Sequence, residues 1–180
     1  MDGTSRDDLA ETRFRAVFSH LGSVAAFARR RGSSDPDGIA AEAMAIAWRR
    51  LGDVPEDDPR PWLYATARNL LHAEWRASAR FADRDPETLG QLTSKLEIPS
   101  EVAWLDAKVA AALAALSPSD REALLLVAWE DLTPKLAAAA LEISAGAFRV
   151  RFHRARRRFR RALDESDPAA PIGEPRMERA

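Results

Sequence analysis

The 180-residue chain has a formal net charge of −1 and is rich in Ala, Leu, Arg and Glu, which favour helices over strands. It contains no cysteine, so disulfide bonds, thiolate metal sites and thiol nucleophiles are excluded. The sequence has no run of about 18 apolar residues that could span a bilayer, and its first residues are acidic where a signal peptide is basic, so we expect a cytoplasmic protein.

The chain begins with the pattern of amphipathic helices. Apolar residues recur every three or four positions, which predicts a first helix over residues 9–31. Gly32 opens a break, after which Ser34 or Asp35 can cap a second helix that has Pro36 in its first turn.

A third helix follows an acidic, proline-rich loop at residues 52–59. It begins near Trp62 and extends to about residue 82, so the sequence predicts a three-helix domain over residues 9–82. The helical pattern is lost over residues 83–100, where proline and glycine recur, and we expect a linker there.

A second helical domain is predicted over residues 101–164, before a disordered tail at 165–180. Its first apolar stripe ends at Ser117 and Pro118, which suit the cap and the first position of a new helix. Thr133 starts the next, short helix in the same way.

A tight turn at residues 142–144 leads from this short helix into the final one, which Ser144 can cap. The alternation of apolar and basic residues over 148–152 also suits a strand, but the apolar spacing out to Leu163 continues only as a helix. A short helix, a tight turn and a second helix make a helix-turn-helix, whose second helix enters the DNA major groove. Its apolar residues would hold the two helices at a fixed angle: Ala137, Leu141, Ile143, Phe148 and Phe152.

Basic residues are concentrated in two segments of this nearly neutral chain. The final helix holds an arginine cluster without an intervening acid: Arg149, Arg151, Arg154, Arg156, Arg157, Arg158, Arg160 and Arg161. A weaker cluster comprises Arg60, Arg68, Arg76, Arg80 and Arg84. Such segments can present local positive fields to phosphates, although a solvated basic helix without a target has the same pattern.

These segments resemble the extracytoplasmic-function group of bacterial RNA polymerase sigma factors, which are part of the sigma-70 family. The C-terminal resemblance lies in residues 112–126, 130–133 and 143–156, and the N-terminal one in residues 14–31, 42–51 and 61–71. Together they cover residues 14–163 in the order that the family has.

The resemblance implies an all-α fold with two small helical domains, joined by a flexible linker, the C-terminal one containing the helix-turn-helix. It also implies a non-enzymatic promoter-recognition factor that needs no cofactor or metal. Core RNA polymerase and promoter DNA are the implied partners, an anti-sigma protein is a further one, and the bound protein would be associated with the nucleoid.

The resemblance also assigns residues to three surfaces. Those expected to bind core polymerase are Glu42, Met44 and Trp48. Those expected to capture the −10 element are Arg68, Asn69, Arg76 and Arg80. Those expected to bind the −35 element are Arg149, Arg151 and Arg154 at base edges, with Arg156 and Arg157 on phosphates.

Four residues depart from the family's usual pattern. Glu142 replaces the turn glycine, Ala73 replaces a common acid, and Gly38 and Leu136 stand where polar or acidic residues are usual. These departures bear on the promoter sequence and on the strength of polymerase binding.

Two other classes of protein fit parts of the pattern. A dimeric helix-turn-helix regulator would bind a palindromic site without polymerase. A helical adaptor that binds proteins would not need residues 145–163.

The five tryptophans are interpreted as packing residues, and the three histidines show no metal-ligand spacing.

Overall fold

The computed structural model describes residues 3–82 and 107–165, and these two ranges are helical without a β-strand. The N-terminal unit contains α1 (Gly3–Phe18), α2 (Leu21–Arg29), α3 (Pro36–Arg49), a 3₁₀ turn (Leu51–Asp53) and α4 (Arg60–Ala82). The C-terminal unit contains α5 (Ala107–Ala114), α6 (Pro118–Ala128), α7 (Pro134–Ala140) and α8 (Ala145–Glu165). The linker predicted at 83–100 and the tail after residue 165 lie outside the described residues.

The prediction of one helix over residues 9–31 was wrong, because α1 and α2 are separate helices. The backbone N–H of His20 bonds to the carbonyl of Val17 at 3.1 Å, which tightens the last turn of α1. The Ser19 hydroxyl also donates to the Ala16 carbonyl at 2.6 Å. These local bonds end α1 although the apolar spacing continues, so the N-terminal unit has four α-helices where three were expected.

The predicted cap-and-proline signals are confirmed at three helix starts. The Asp35 carboxylate accepts from the Gly38 N–H at 2.9 Å at the start of α3. Ser117 and Thr133 accept in the same way at the starts of α6 and α7. Each cap satisfies a backbone donor that has no partner within its own helix, and the proline that follows needs none.

The two units share one apolar core. Its buried side chains include Phe27, Leu63 and Leu71 from the N-terminal unit, and Leu126 and Phe148 from the C-terminal unit. Helix α4 packs directly on α7, so the helix-turn-helix lies against the N-terminal unit. A smaller cluster within the C-terminal unit joins α5, α6 and α8.

Arg121 connects the first two helices of the C-terminal unit. Its guanidinium donates to the carbonyls of Leu113, Ala114 and Leu116 at 2.8, 3.0 and 3.3 Å. These carbonyls lie at the C-terminal end of α5, where the helix has no further backbone N–H groups to bond them. The contact therefore fixes α6 relative to α5.

Candidate nucleic-acid interface

The expected helix-turn-helix is formed by α7, a four-residue turn over residues 141–144 and α8. Glu142 has a φ of 56°, and the N–H of Ile143 bonds to the Ala138 carbonyl at 3.1 Å. The Ser144 hydroxyl then accepts from the Ala147 N–H at 3.1 Å and caps α8, as the sequence predicted. The left-handed backbone at Glu142 reverses the chain in very few residues, and it explains why a glycine suits this position.

The apolar residues predicted to hold the two helices together do so. Ala137, Leu141 and Phe148 are buried, and Ile143 and Phe152 pack partly buried against the same core. The rings of Phe148 and Phe152 are stacked with centroids 5.7 Å apart. One face of α8 is thereby fixed, which leaves its other faces for solvent or a ligand.

The predicted −35 residues lie mostly on those free faces. Arg149, Arg154, Arg156 and Arg157 are exposed, and Arg151 is half-buried. None of the five forms an ion pair within the part of the chain that the structure describes. The Arg156 guanidinium lies 5.8 Å from the centre of the Phe152 ring. The arrangement is an unneutralised basic surface along one helix, which suits a polyanion.

Arg158 has a different role from its neighbours. It forms an ion pair with Asp120 of α6, whose side chain is 7% exposed. Arg158 belongs by sequence to the arginine cluster of the final helix, and the acidic Asp120 in the first turn of α6 is the signal that distinguishes it from the other arginines. This ion pair holds the middle of α8 against α6.

The predicted −10 residues share α4 but have different surroundings. Asn69 and Arg76 are exposed, while the Arg68 side chain is 18% exposed and donates to the Glu142 carboxylate at 3.2 Å. Arg80 lies on the same helix, and its side chain falls outside what the structure describes. Arg76 and Arg80 are four residues apart on α4, and Arg68 lies eight residues before Arg76.

The predicted polymerase-binding residues of α3 differ in their exposure to solvent. Glu42 is exposed, and its carboxylate accepts from Arg49 at 3.1 Å. Trp48 is 50% exposed, and its ring meets that of Phe14 edge-on at 4.9 Å. Met44 is 2% exposed and contributes to the core instead, because its position on α3 faces the other helices of the unit.

Exposed aromatic surface extends from α3 onto α1. Phe18 is 48% exposed, and its ring centroid lies 5.9 Å from that of Phe14. Phe14, Phe18 and Trp48 therefore form an aromatic patch on the N-terminal unit. Such a patch beside charged residues is typical of a protein-binding surface.

Gly38 and Leu136, two of the departures from the family pattern, have structural explanations. A Cβ at Gly38 would lie 2.0 Å from the Asp35 carboxylate oxygen, so a side chain there would displace the cap of α3. Leu136 packs partly buried against the shared core. Ala73 is exposed, and nothing in the structure explains why this residue is Ala.

The described residues contain no group of three or more His, Asp or Glu residues that could hold a metal ion. None of the helices in the two described ranges is long and apolar enough to cross a membrane.

The C-terminal unit matches a known family. The domain described as "Sigma-70, region 4" matches residues 106–159, which span α5 to most of α8. A curated relative, the RNA polymerase sigma factor CnrH of Cupriavidus metallidurans, is 27% identical over 169 residues, covering 82% of this chain and 84% of the relative. Together, the region 4 domain and the likeness to CnrH support a sigma-70 factor of the extracytoplasmic-function group. The same findings support a role in directing transcription initiation.

Two solved structures of sigma factors have a similar fold. CnrH in complex with the cytosolic domain of CnrY gives a TM-score of 0.58 at 24% identity, with 86% of this chain and 89% of that chain covered. The sigma factor RpoE of Bartonella quintana, in complex with the anti-sigma factor NepR, gives 0.61 at 22% identity, with 85% and 97% covered. The likeness in fold extends over both helical units of this chain.

Proposed function

We propose that this sigma factor reads the −35 element with α8 and the −10 element with α4, while it binds core RNA polymerase through α3. The unneutralised basic face of α8 is the observation that carries this proposal. Arg149, Arg151 and Arg154 contact base edges in the major groove, and Arg156 and Arg157 position the helix on phosphates.

The N-terminal unit supplies the other two contacts in this proposal. Arg68, Asn69, Arg76 and Arg80 follow α4, and they bind the −10 strand. Polymerase binding relies on the exposed Glu42 and Trp48. Aromatic side chains with a charged neighbour often contribute most of the free energy of a protein interface.

The domain division forms part of the proposal. Residues 9–82 act as the polymerase and −10 domain, residues 83–100 as a linker, and residues 101–164 as the −35 domain. Bond formation stays with core polymerase, so the chain contributes recognition and no catalytic step. On this account the protein works in the cytoplasm and associates with the nucleoid when it is bound to polymerase.

An anti-sigma protein is a further proposed partner. One solved structure holds CnrH with the cytosolic domain of CnrY, and the other holds RpoE with the anti-sigma factor NepR. By analogy, a partner of this kind would cover surfaces that polymerase needs. Recovering a protein from cells with the tagged full-length chain, and displacing it with core polymerase, tests this idea.

The whole proposal is tested by transcription in vitro with core polymerase on a pool of promoter fragments, with and without the full-length protein. Discrete transcripts that require the protein support it. Tight binding of the protein alone to a palindromic duplex favours the dimeric regulator, and activity that survives removal of residues 145–163 favours the adaptor. Either result would overturn the proposal.

A further inference from the structure

We infer that Arg13 of α1 is a positioning residue for recognition of the −10 element, because it holds the acidic loop (residues 52–59) in one conformation at the start of α4. The inference rests on the proposed role of α4 and adds a residue from a different helix. The Arg13 guanidinium donates to the Val54 carbonyl at 2.6 Å and lies 3.3 Å from the Glu56 carboxylate. One side chain thus contacts two points of the acidic loop.

The sequence of the acidic loop explains why it needs a donor from another helix. Pro55 restricts the residue before it to an extended backbone, and Val54 has a φ of −76° and a ψ of 124°. An extended residue does not continue the 3₁₀ hydrogen-bond pattern, so its carbonyl needs a partner from elsewhere. The Val54 side chain is 2% exposed in the core. Core packing and Arg13 therefore fix the same residue from two sides.

The other end of the acidic loop is fixed at the start of α4. The Asp58 carboxylate accepts from the backbone N–H of Arg60 at 3.0 Å and from its guanidinium at 3.0 and 2.7 Å. These two residues are close in sequence, so their contact shapes the loop locally. Arg13 is 41 residues away from Val54, and it fixes the loop relative to α1.

The acidic loop lies on the path of a DNA strand that follows α4. Arg80 is 12 residues beyond Arg68, or about 18 Å along the helix, which stacked nucleotides about 3.4 Å apart fill with roughly five bases. From Arg68 back to Arg60, where α4 begins, is about 12 Å more. Roughly the next three nucleotides therefore lie beside the start of α4 and the loop, so the conformation of the loop affects which bases fit.

Charge pairing makes the acidic loop compatible with a neighbouring polyanion. It contains four carboxylates, which would repel phosphates if they were all unpaired. Three of them have an arginine partner: Asp53 with Arg50, Glu56 with Arg13, and Asp58 with Arg60. Loss of Arg13 would therefore release the Val54 carbonyl and also leave Glu56 unpaired.

The first test measures the acidic loop itself in the full-length protein. Because the chain lacks cysteine, Asp57→Cys, at an exposed position, can carry a single spin label. We expect a restricted label in the otherwise wild-type protein and a shift to a mobile spectrum in Arg13→Met. Arg15→Met is the matched control, because Arg15 lies on the same helix, is 72% exposed and pairs with Glu11. Equal spectra for the two variants would overturn the inference.

The second test measures base preference in the complex with core polymerase. The probe is a promoter that the wild-type protein transcribes, with its −10 segment made single-stranded, compared with a copy whose −10 bases are scrambled. Arg13→Met should reduce the preference for the first over the second by about tenfold, comparable to the loss of one base contact. The affinities for core polymerase and for the −35 duplex should stay unchanged. A parallel loss of all three would mean a general loss of structure and would overturn the inference.

Glu56→Gln and the double variant Arg13→Met/Glu56→Gln separate position from charge. Glu56 is 77% exposed, so its ion pair is weak, and Glu56→Gln alone should change the preference by less than about twofold. The double variant has the net charge of the wild-type protein, but its Val54 carbonyl still lacks the donor. It should therefore remain as defective as Arg13→Met. Recovery in the double variant would show that Arg13 acts only by neutralising Glu56, and the inference would fail.

The proposed function and this inference fail in different ways. If the wild-type protein gives no promoter-specific transcript, the proposed function fails, and the −10 role of Arg13 falls with it even if the spin label responds. If the wild-type protein transcribes and Arg13→Met behaves like Arg15→Met in both tests, the inference fails and the proposed function stands. Circular dichroism checks that each variant is folded.

Discussion

Arg158 of α8 is paired with Asp120 of α6, so an arginine in the DNA-binding helix serves to hold that helix in place. Only 7% of the Asp120 side chain is exposed, whereas 60% of the Arg158 side chain is. The carboxylate is thus the buried partner, and its removal should affect folding more than the loss of a surface charge.

We predict that Asp120→Asn lowers the free energy of unfolding by about 1–3 kcal/mol, because a charge-assisted hydrogen bond to a buried group is lost. Urea unfolding followed by circular dichroism measures this change. Arg161→Ala is the control, since Arg161 and Glu165 are 78% and 68% exposed and such a pair contributes about 0.5 kcal/mol or less. Equal effects of the two substitutions would show that the Asp120 pair has no special role.

Arg149 and Arg157 should differ in how they affect promoter binding. Arg149→Ala should weaken binding by about 1–3 kcal/mol on the preferred −35 sequence and relax the preference at one base pair. Arg157→Ala should weaken binding equally on all sequences and reduce the salt dependence by about one counterion. Titrations of the polymerase complex on duplexes with single −35 substitutions, at several salt concentrations, separate the two effects. Loss of sequence preference in both variants, or in neither, would contradict the division of roles.

Tyr64 offers an internal probe of the packed structure, because it is the only tyrosine in the chain. Burial, assisted by the negative charge of Glu130, raises its pKa to about 12. Its ring stacks on Phe27 with centroids 4.7 Å apart. The folded pKa lies above the usual value of about 10, so Tyr64 contributes stability that is fully present below pH 10 and is lost between pH 10 and 12.

Absorbance at the tyrosinate band should therefore show one transition near pH 12 in the folded protein and one near pH 10 in urea. The Phe27→Leu variant should lower the folded value, because it opens the packing around the phenol. A folded protein whose tyrosine titrates near pH 10 would contradict the burial of Tyr64. Circular dichroism at each pH confirms that the helices persist.

Trp48 should contribute to polymerase binding without contributing much to folding. Half of its surface is exposed, so Trp48→Ala should weaken the complex with core polymerase by about tenfold or more. Val150→Ala is the control, because Val150 is 52% exposed on α8, outside the proposed polymerase surface. Binding can be followed by fluorescence anisotropy of the labelled sigma factor. Equal affinities for Trp48→Ala and the wild-type protein would remove α3 from the proposed interface.

Local signals in the sequence were sufficient to predict most helix starts. Asp35, Ser117, Thr133 and Ser144 all accept the backbone hydrogen bonds that their types and positions suggested. The division of α8 into an apolar face and a basic face also followed from spacing, because a helix places residues three and four apart on one side. Phe148 is buried as that spacing required.

Long-range contacts could not be predicted in this way. The break at His20 depends on local hydrogen bonds that apolar spacing does not report. The pairing of Arg31 with Glu130, 99 residues away, needs the relative placement of the two units. Met44 lies within an amphipathic helix whose orientation only the packed structure defines, and it proved to be buried.

The most direct test is transcription from one promoter by core polymerase with either the wild-type protein or the variant Arg149→Ala/Arg151→Ala/Arg154→Ala. The account predicts promoter-initiated transcripts with the wild-type protein and their loss, by at least tenfold, with the folded variant. Transcripts that are independent of the sigma factor, or unchanged when these three arginines are neutralised, would contradict it.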